Sequence, residues 1–180
     1  MTKHNCVNSK LQQLFDKLEV DRNHLLVTLR NLPSDRLEYA PEGKWSIRQI
    51  LAHLIAAERL SILYLNKKIL GIEDVENTGL AEEIKMVLLR MSQRLPLKFK
   101  APRVVVEHTT AYATFEELAA DWEKTRTELK VLLEKFDDTQ IRKKIYKHVR
   151  AGRLNVQHAL MFFHEHIIHH TPQINRLLKL

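Results

Sequence analysis

Apolar residues recur at helical spacing along the first half of the chain and predict two long helices. From about Ser9 to Leu32 apolar residues recur every three or four positions, which is typical of a helix with one buried face. A second helix is predicted to begin after Ser46, because Ser46 and Gln49 have the spacing of a capping box. It continues to about Leu70, where Gly71 favours a C-terminal stop.

The second half of the chain predicts two further long helices. Thr114 and Glu117 form another capping-box pattern, and the apolar periodicity that follows extends to about Phe136. Asn155 is a favourable N-cap for a last helix that runs nearly to Leu180. Four such helices predict an all-α, four-helix-bundle fold over residues 1–180 as a single domain.

The connections between these helices differ in length and composition. Residues 72–113 form a long crossover between helices two and three, in which LAEEIKMVLLRM favours a helix. The following PLKFKAPRVVVEHTT has two prolines and a β-branched run, so we expect extended or irregular chain there. The segment IRKKIYKHVRAGR is interpreted as a basic connector to the last helix.

Composition places the chain among helical proteins of the cytoplasm. Only four Gly and five Pro occur, while helix-forming residues are abundant.

Cys6 is the single cysteine, so no intramolecular disulfide can form, and its place in the N-terminal segment makes it a poor candidate nucleophile. We find no signal-peptide core and no apolar run long enough to span a bilayer, so membrane association is not expected.

The formal charge of +7 is compatible with an anionic partner, with nucleic acid or with a merely solubilising surface. Nucleic-acid binding ranks last, because no zinc-finger spacing, RNP-like motif or compact basic recognition helix is present. A small-molecule substrate is the favoured partner; a carboxylate or phosphate on it is one alternative, and basic residues that only keep the protein soluble are the commoner one. The cations expected to frame its site are Arg90, Arg94, Lys98, Lys100, Arg103, Lys143, Lys144, Lys147 and Arg150.

Histidine clustering is the strongest chemical signal in the sequence. Five of the ten histidines lie between His158 and His170. His166 and His170 have the i, i+4 spacing that brings two imidazoles to the same side of a helix, where both can reach one metal ion. The remaining three, His158, His164 and His169, fall on other parts of the helical wheel and are expected at the rim or surface.

His53 supplies a third candidate ligand from the second helix. It shares its face with Ile50, Ala57 and Leu60, so it is expected to point into the bundle. Taken alone, an inward histidine is more often a hydrogen-bonded core residue. Combined with the pair in the last helix, it predicts a three-nitrogen site with open positions that suits Zn²⁺ or Ni²⁺.

Two long segments resemble the signatures of the DinB/YfiT-like superfamily. They are GKWSIRQILAHLIAAERL at 43–60 and AGRLNVQHALMFFHEHIIHHTPQINRLL at 151–178, and TFEELAADWEKTRTEL is similar to the third helix of that family. The resemblance implies up-down-down-up connectivity. It also implies a metal-binding triad on His53, His166 and His170, with Gln173 at the HxxQI glutamine. Pro172 departs from the usual pattern just before that glutamine.

What the resemblance implies about activity leaves several alternatives. Similar proteins include metal-dependent transferases that use a low-molecular-weight thiol, and hydrolysis by metal-activated water is the related reaction. The catalytic residues stay unassigned. His169, Glu165, Glu58 and Gln173 are candidate helpers of the ligands, with a solvated or salt-bridged carboxylate as the commoner role for Glu58 and a surface position as the alternative for His169. The alternative function is a non-enzymatic, stress-related binding protein with a structural or vestigial metal site.

A homodimer is also expected, because bundles of this type often pair. Its interface is predicted on the outer faces of the helices at Leu51, Ile55 and Ile62, with cover by the crossover as the alternative.

Overall fold

A computed structural model describes residues 7–95 and 100–180, and these residues are mostly helical, as predicted. The four long helices are α1 (Ser9–Leu29), α3 (Ile47–Lys68), α6 (Phe115–Leu133) and α7 (Val156–Leu177). Shorter elements fill the connections: α2 (Ser34–Glu38), a 3₁₀ turn (Ile69–Gly71), α4 (Leu80–Arg94), α5 (Arg103–Glu107), β1 (Tyr146–His148) and β2 (Gly152–Leu154).

Side-chain caps fix where the two histidine-bearing helices begin. At the start of α3, Ser46 accepts a bond from the Gln49 backbone, and the Gln49 side chain accepts one from the Ser46 backbone at 2.9 Å. At the start of α7, the Asn155 side chain accepts the backbone N–H of His158 at 2.9 Å. Each cap satisfies N–H groups that the helix itself leaves unpaired, so it determines the first residue of the helix.

Helices α3 and α6 run parallel to each other. Arg48, near the start of α3, donates to the carbonyl of Ala113 just before α6, at 2.9 Å. Near the other end, Lys135 just beyond α6 donates to Asn66 of α3. Parallel neighbours need a long crossover, which residues 72–113 supply.

Helices α1 and α7 are also parallel, and they run opposite to α3 and α6. One hydrophobic cluster includes Leu11 of α1 and Val156 of α7, and the second includes Leu29 and Leu177 from their other ends. Between α1 and α6, Arg22 pairs with Glu123 and Arg126 pairs with Glu19, which is an antiparallel register. The connectivity is therefore up-down-down-up, as the family resemblance implies.

Helix α3 lies between α6 and α7 and also contacts α5, so it has little outer surface. The prediction that Leu51, Ile55 and Ile62 are exposed is wrong, since all three are buried. Leu51 and Ile55 belong to the same cluster as Trp122 of α6. The apolar residues of α3 thus form core on two sides of the helix, and no dimer interface exists at these positions.

Three local predictions also need correction. The VVVE part of the crossover is helical, as α5, although its prolines and β-branched residues favoured irregular chain; Pro102 stands before its first residue, where a proline is tolerated. The basic connector contains the hairpin β1–β2, in which Gly152 has φ +74°, a conformation that favours glycine. Helices α1 and α6 each end three residues earlier than predicted.

Two sequence predictions fall outside the described residues, namely those on Cys6 and Lys98. Among the described residues, no helix combines the length and apolarity needed to cross a membrane.

Candidate metal centre

Three buried histidines from two antiparallel helices meet in the bundle. His53 lies in the second turn of α3, and His166 and His170 are one turn apart on α7. One nitrogen from each ring lies within 4.8 Å of the others. The three histidines that were predicted as ligands are therefore close to one another.

Nε2 of His53 and Nε2 of His166 are 3.2 Å apart. Two nitrogens bound to one tetrahedral zinc at about 2.0–2.1 Å each are separated by about 3.4 Å. The spacing in the protein is thus close to the spacing that a shared ion requires. In addition, Nδ1 of His53 is buried and has no hydrogen-bond partner among the described residues.

Burial keeps all three imidazoles neutral at physiological pH. It lowers the pKa of His53 to about 4 and the pKa of His170 to about 3, and it holds the pKa of His166 well below the ordinary value. Neighbouring histidines lower these pKa values further. A neutral imidazole has a lone pair available for a metal, so the donor set fits a divalent cation.

Gln173 orients one of the three rings. Its side-chain oxygen lies 3.1 Å from Nδ1 of His170, so Nδ1–H donates and Nε2 is left as the ligand nitrogen. This hydrogen bond is compatible with the predicted helper role of Gln173. Pro172, which lies within α7, does not turn Gln173 away from His170.

Two aromatic rings that were not predicted as part of the site lie against the triad. The ring of Trp45 is 4.9 Å from that of His53, and the ring of Phe162 stacks on His166 at 5.2 Å. Phe162 precedes His166 by four residues, so helical spacing could have placed it on the same face. Trp45 precedes the N-cap of α3, and no periodic signal pointed to it.

His169 connects the triad to α4. Its Nδ1 lies 2.7 Å from the backbone carbonyl of Gln93, and its ring is 5.0 Å from that of His170. Nδ1–H therefore donates to the carbonyl, which fixes the position of the ring. His169 is therefore a rim residue, as predicted, and it lies beside the candidate ligands.

The two carboxylates that were predicted as helpers serve other contacts. Glu165 accepts hydrogen bonds from Arg90 and Arg94 of α4 at 2.8–3.0 Å. Burial raises the pKa of Glu165, but the bonds from the two arginines outweigh it and hold this pKa below its usual value. Glu58 accepts bonds from Arg126 and from Trp122 at 2.8–3.2 Å. Neither carboxylate has a contact with the triad among the described residues.

Two other histidines of α7 bind acids at its sides. His158 is buried, which corrects the prediction of a surface position, because α4 covers it and Glu83 lies 3.2 Å from its Nε2. His164 is partly exposed and contacts Asp21 of α1.

The cations predicted to frame the site do not gather in one place, and Arg103 pairs with Glu107 within α5. Arg90 and Arg94 bind Glu165, one residue from His166. Lys144 instead pairs with Glu76 and Glu82 at the beginning of α4. Two cavities of about 260 and 480 Å³ lie beside Lys144, and no residue of the triad lines either of them.

Comparison with known proteins agrees with this geometry. The family model described as the DinB superfamily matches residues 17–174. The chain belongs to the DinB superfamily. The superfamily bundle has a solved representative in Bacillus subtilis YfiT, which is described as a probable metal-dependent hydrolase with an unusual four-helix bundle topology. The two chains are 16% identical with a TM-score of 0.63 over 99% of this chain and 92% of that one. No curated protein matches.

Proposed function

We propose that this DinB-superfamily protein binds one divalent cation through His53, His166 and His170 and uses it for nucleophilic chemistry. The observation that carries the proposal is the convergence of three buried, neutral imidazoles within 4.8 Å. Three protein ligands leave coordination positions for other molecules, as in catalytic rather than structural zinc sites. Zinc and nickel are the proposed ions because both accept imidazole ligands readily.

A divalent ion in this place supplies Lewis-acid chemistry, since it lowers the pKa of water or of a thiol so that a nucleophile exists at neutral pH. The side chains around the triad favour a nucleophile from outside the chain. Within the described residues, hydrogen bonds and ring contacts of the triad with other side chains involve Trp45, Phe162, His169 and Gln173. None of these has a hydroxyl, a thiol or a carboxylate. The nucleophile we propose is therefore water or a low-molecular-weight thiol.

The proposed roles of the neighbouring residues follow from their contacts. Gln173 keeps His170 in the tautomer that points Nε2 to the ion. Trp45 and Phe162 exclude bulk water from the imidazoles. His169 is proposed to support His170, since its Nδ1 is held by the Gln93 carbonyl and its ring lies 5.0 Å from the His170 ring. An anionic group on the substrate is proposed to meet the exposed parts of Arg90 and Arg94 beside Glu165.

Turnover with defined probes tests the proposal. Zinc- or nickel-loaded protein and metal-free protein are each incubated with an activated ester, and with a chromogenic haloarene in the presence of a low-molecular-weight thiol. We expect one of the two reactions to need the metal and to be lost in His166→Ala. A protein that binds the ion stoichiometrically but accelerates neither reaction would instead support the alternative function, a non-enzymatic metal-binding protein.

A further inference from the structure

Helix α4 has its apolar side in solvent and a partly polar side against the bundle. Its exposed side carries six large apolar side chains, each between 52% and 78% exposed: Leu80, Ile84, Val87, Leu88, Met91 and Leu95. The side packed on α7 buries Met86 and Leu89, but also Glu82 and Gln93. A surface helix normally has the opposite orientation. This α4 apolar face, defined by the six residues, has no cover from the described part of the chain.

The α4 apolar face is a continuous row. At about 100° per residue, its six positions fall within an arc of about 100°, which is one face of the helix. Each of its six residues is more than half exposed, whereas apolar residues on the surface of a monomer are usually scattered singly. Exposed apolar residues of the long helices, such as Val20, Leu63 and Val131, do not form such a row.

The charges beside the face are arranged for an antiparallel copy of the same helix. Glu83 lies on one flank in the first half of α4, and Arg90 and Arg94 lie on the same flank in the second half. All three side chains are roughly half exposed, even though each has an internal partner. When two copies pack antiparallel, like flanks meet. Glu83 of each copy then approaches Arg90 and Arg94 of the other, and the helix dipoles also oppose each other.

We infer that the α4 apolar face binds a second copy of this chain, with the two α4 helices antiparallel about a two-fold axis between Val87 and Leu88. In this register Ile84 faces Met91 of the other copy, and Leu80 faces Leu95. An isologous pair covers the six apolar residues of both copies at once and removes both rows from water.

Sedimentation analysis of the full chain tests the inference. Wild type sediments as a dimer, whereas Leu88→Glu dimerises at least about ten-fold more weakly, because it places two carboxylates next to the axis. Val131→Glu is the matched control, since Val131 is an apolar residue of similar exposure on α6, and this variant stays dimeric. Circular dichroism and thermal unfolding check that both variants are folded. A Leu88→Glu protein that is folded and fully dimeric would overturn the inference.

Disulfide cross-linking tests the orientation of the helices. In a Cys6→Ser background, Val87→Cys cross-links to its copy because it lies at the axis. Leu80→Cys does not, because seven residues separate it from Val87, about 10 Å along the helix. Efficient cross-linking at both positions would mean parallel helices and would overturn the antiparallel register.

An anionic membrane is the competing occupant, since basic side chains flank the α4 apolar face. Flotation with vesicles of phosphatidylcholine and phosphatidylserine distinguishes the two. The inference predicts a dimer that stays in the aqueous fraction. Monomeric wild type, whether it binds these vesicles or not, contradicts it.

Discussion

At the scale of single residues, the ligand nitrogens depend on the hydrogen bonds made by the opposite side of each ring. His170 has such a partner in Gln173, whereas Nδ1 of His53 has none among the described residues. A ring whose second nitrogen is held by an acceptor keeps one tautomer and one orientation. If the triad binds metal as proposed, its affinity is expected to depend on Gln173.

Replacing Gln173 tests this dependence. Gln173→Leu removes the acceptor for Nδ1–H of His170 at similar side-chain volume, and we expect metal binding to weaken about 10–100-fold. Gln173→Glu keeps an oxygen and is expected to retain most of the affinity. Competition against a chromogenic zinc chelator measures both variants. Equal affinities for Gln173→Leu and wild type would show that the bond to His170 does not support the ligand.

The carboxylate of Glu58 has a structural role in the bundle core. Glu58 and Arg126 are almost fully buried, and two hydrogen bonds join them across α3 and α6. We expect Glu58→Gln to lower the free energy of unfolding by about 1–3 kcal/mol, because it removes the nearer of the two carboxylates that pair with the buried guanidinium and leaves only Glu19, at 3.3 Å. Chemical denaturation measures the loss, with the exposed Glu128→Gln as the control. A large fall in metal content of the folded variant would instead indicate that Glu58 supports the metal site.

At the scale of secondary structure, the caps of α3 and α7 determine the rotation of each helix and hence where its histidines point. The Ser46 capping box does this for His53. We expect Ser46→Ala to cost about 1 kcal/mol, which for a chain of this size lowers the melting temperature by about 2–4 °C. Ser46→Thr keeps the acceptor oxygen and serves as the control. Identical melting temperatures for all three proteins would contradict the contribution of the cap.

The hairpin between α6 and α7 contains a pH-sensitive residue. Nδ1 of His148 accepts two backbone N–H groups, of Arg150 and Ala151, and burial lowers the pKa of His148 to about 4. The unfolded chain takes up a proton near pH 6.5, while the folded chain does so only near pH 4. The stabilisation is therefore complete above pH 6.5 and is lost as pH falls through this window, by about 3 kcal/mol in total.

His148→Asn tests that contribution, because asparagine offers an acceptor oxygen but does not titrate. Urea denaturation of metal-free protein at pH 7.5 and pH 4.5 gives the pH dependence of stability for wild type and variant. We expect the loss of stability on acidification to be smaller in His148→Asn. The same loss in both proteins would mean that His148 does not titrate between the folded and unfolded states.

At the scale of the whole molecule, the sequence predicts the bundle and the triad because both depend on local periodicity. The spacing of His166 and His170 is a property of one helix, and the caps of α3 and α7 are readable from Ser46 and Asn155. The family resemblance supplied the order of helix directions. Four long helices connected in this order then bring His53 to the other two histidines.

Features that depend on contacts between distant segments could not be predicted from the sequence. The crossover helix α4 covers His158 and binds Glu165, and neither contact has a signal in periodicity. The sequence also predicted a helix in LAEEIKMVLLRM but gave no sign that most of its large apolar residues are exposed. Likewise, Leu51 and Ile55 were placed on the surface because a helical wheel cannot show that α3 has neighbours on two sides.

The metal content of the purified protein tests the central claim most directly. Tag-free wild type, His53→Ala, His170→Ala and the exposed-histidine control His24→Ala are loaded with zinc or nickel, dialysed and measured by elemental mass spectrometry. We predict about one equivalent of metal in wild type and in His24→Ala, with nearly all of it lost in the two triad variants. Wild type that retains no metal after loading, or triad variants that retain as much as wild type, would contradict a metal centre at His53, His166 and His170.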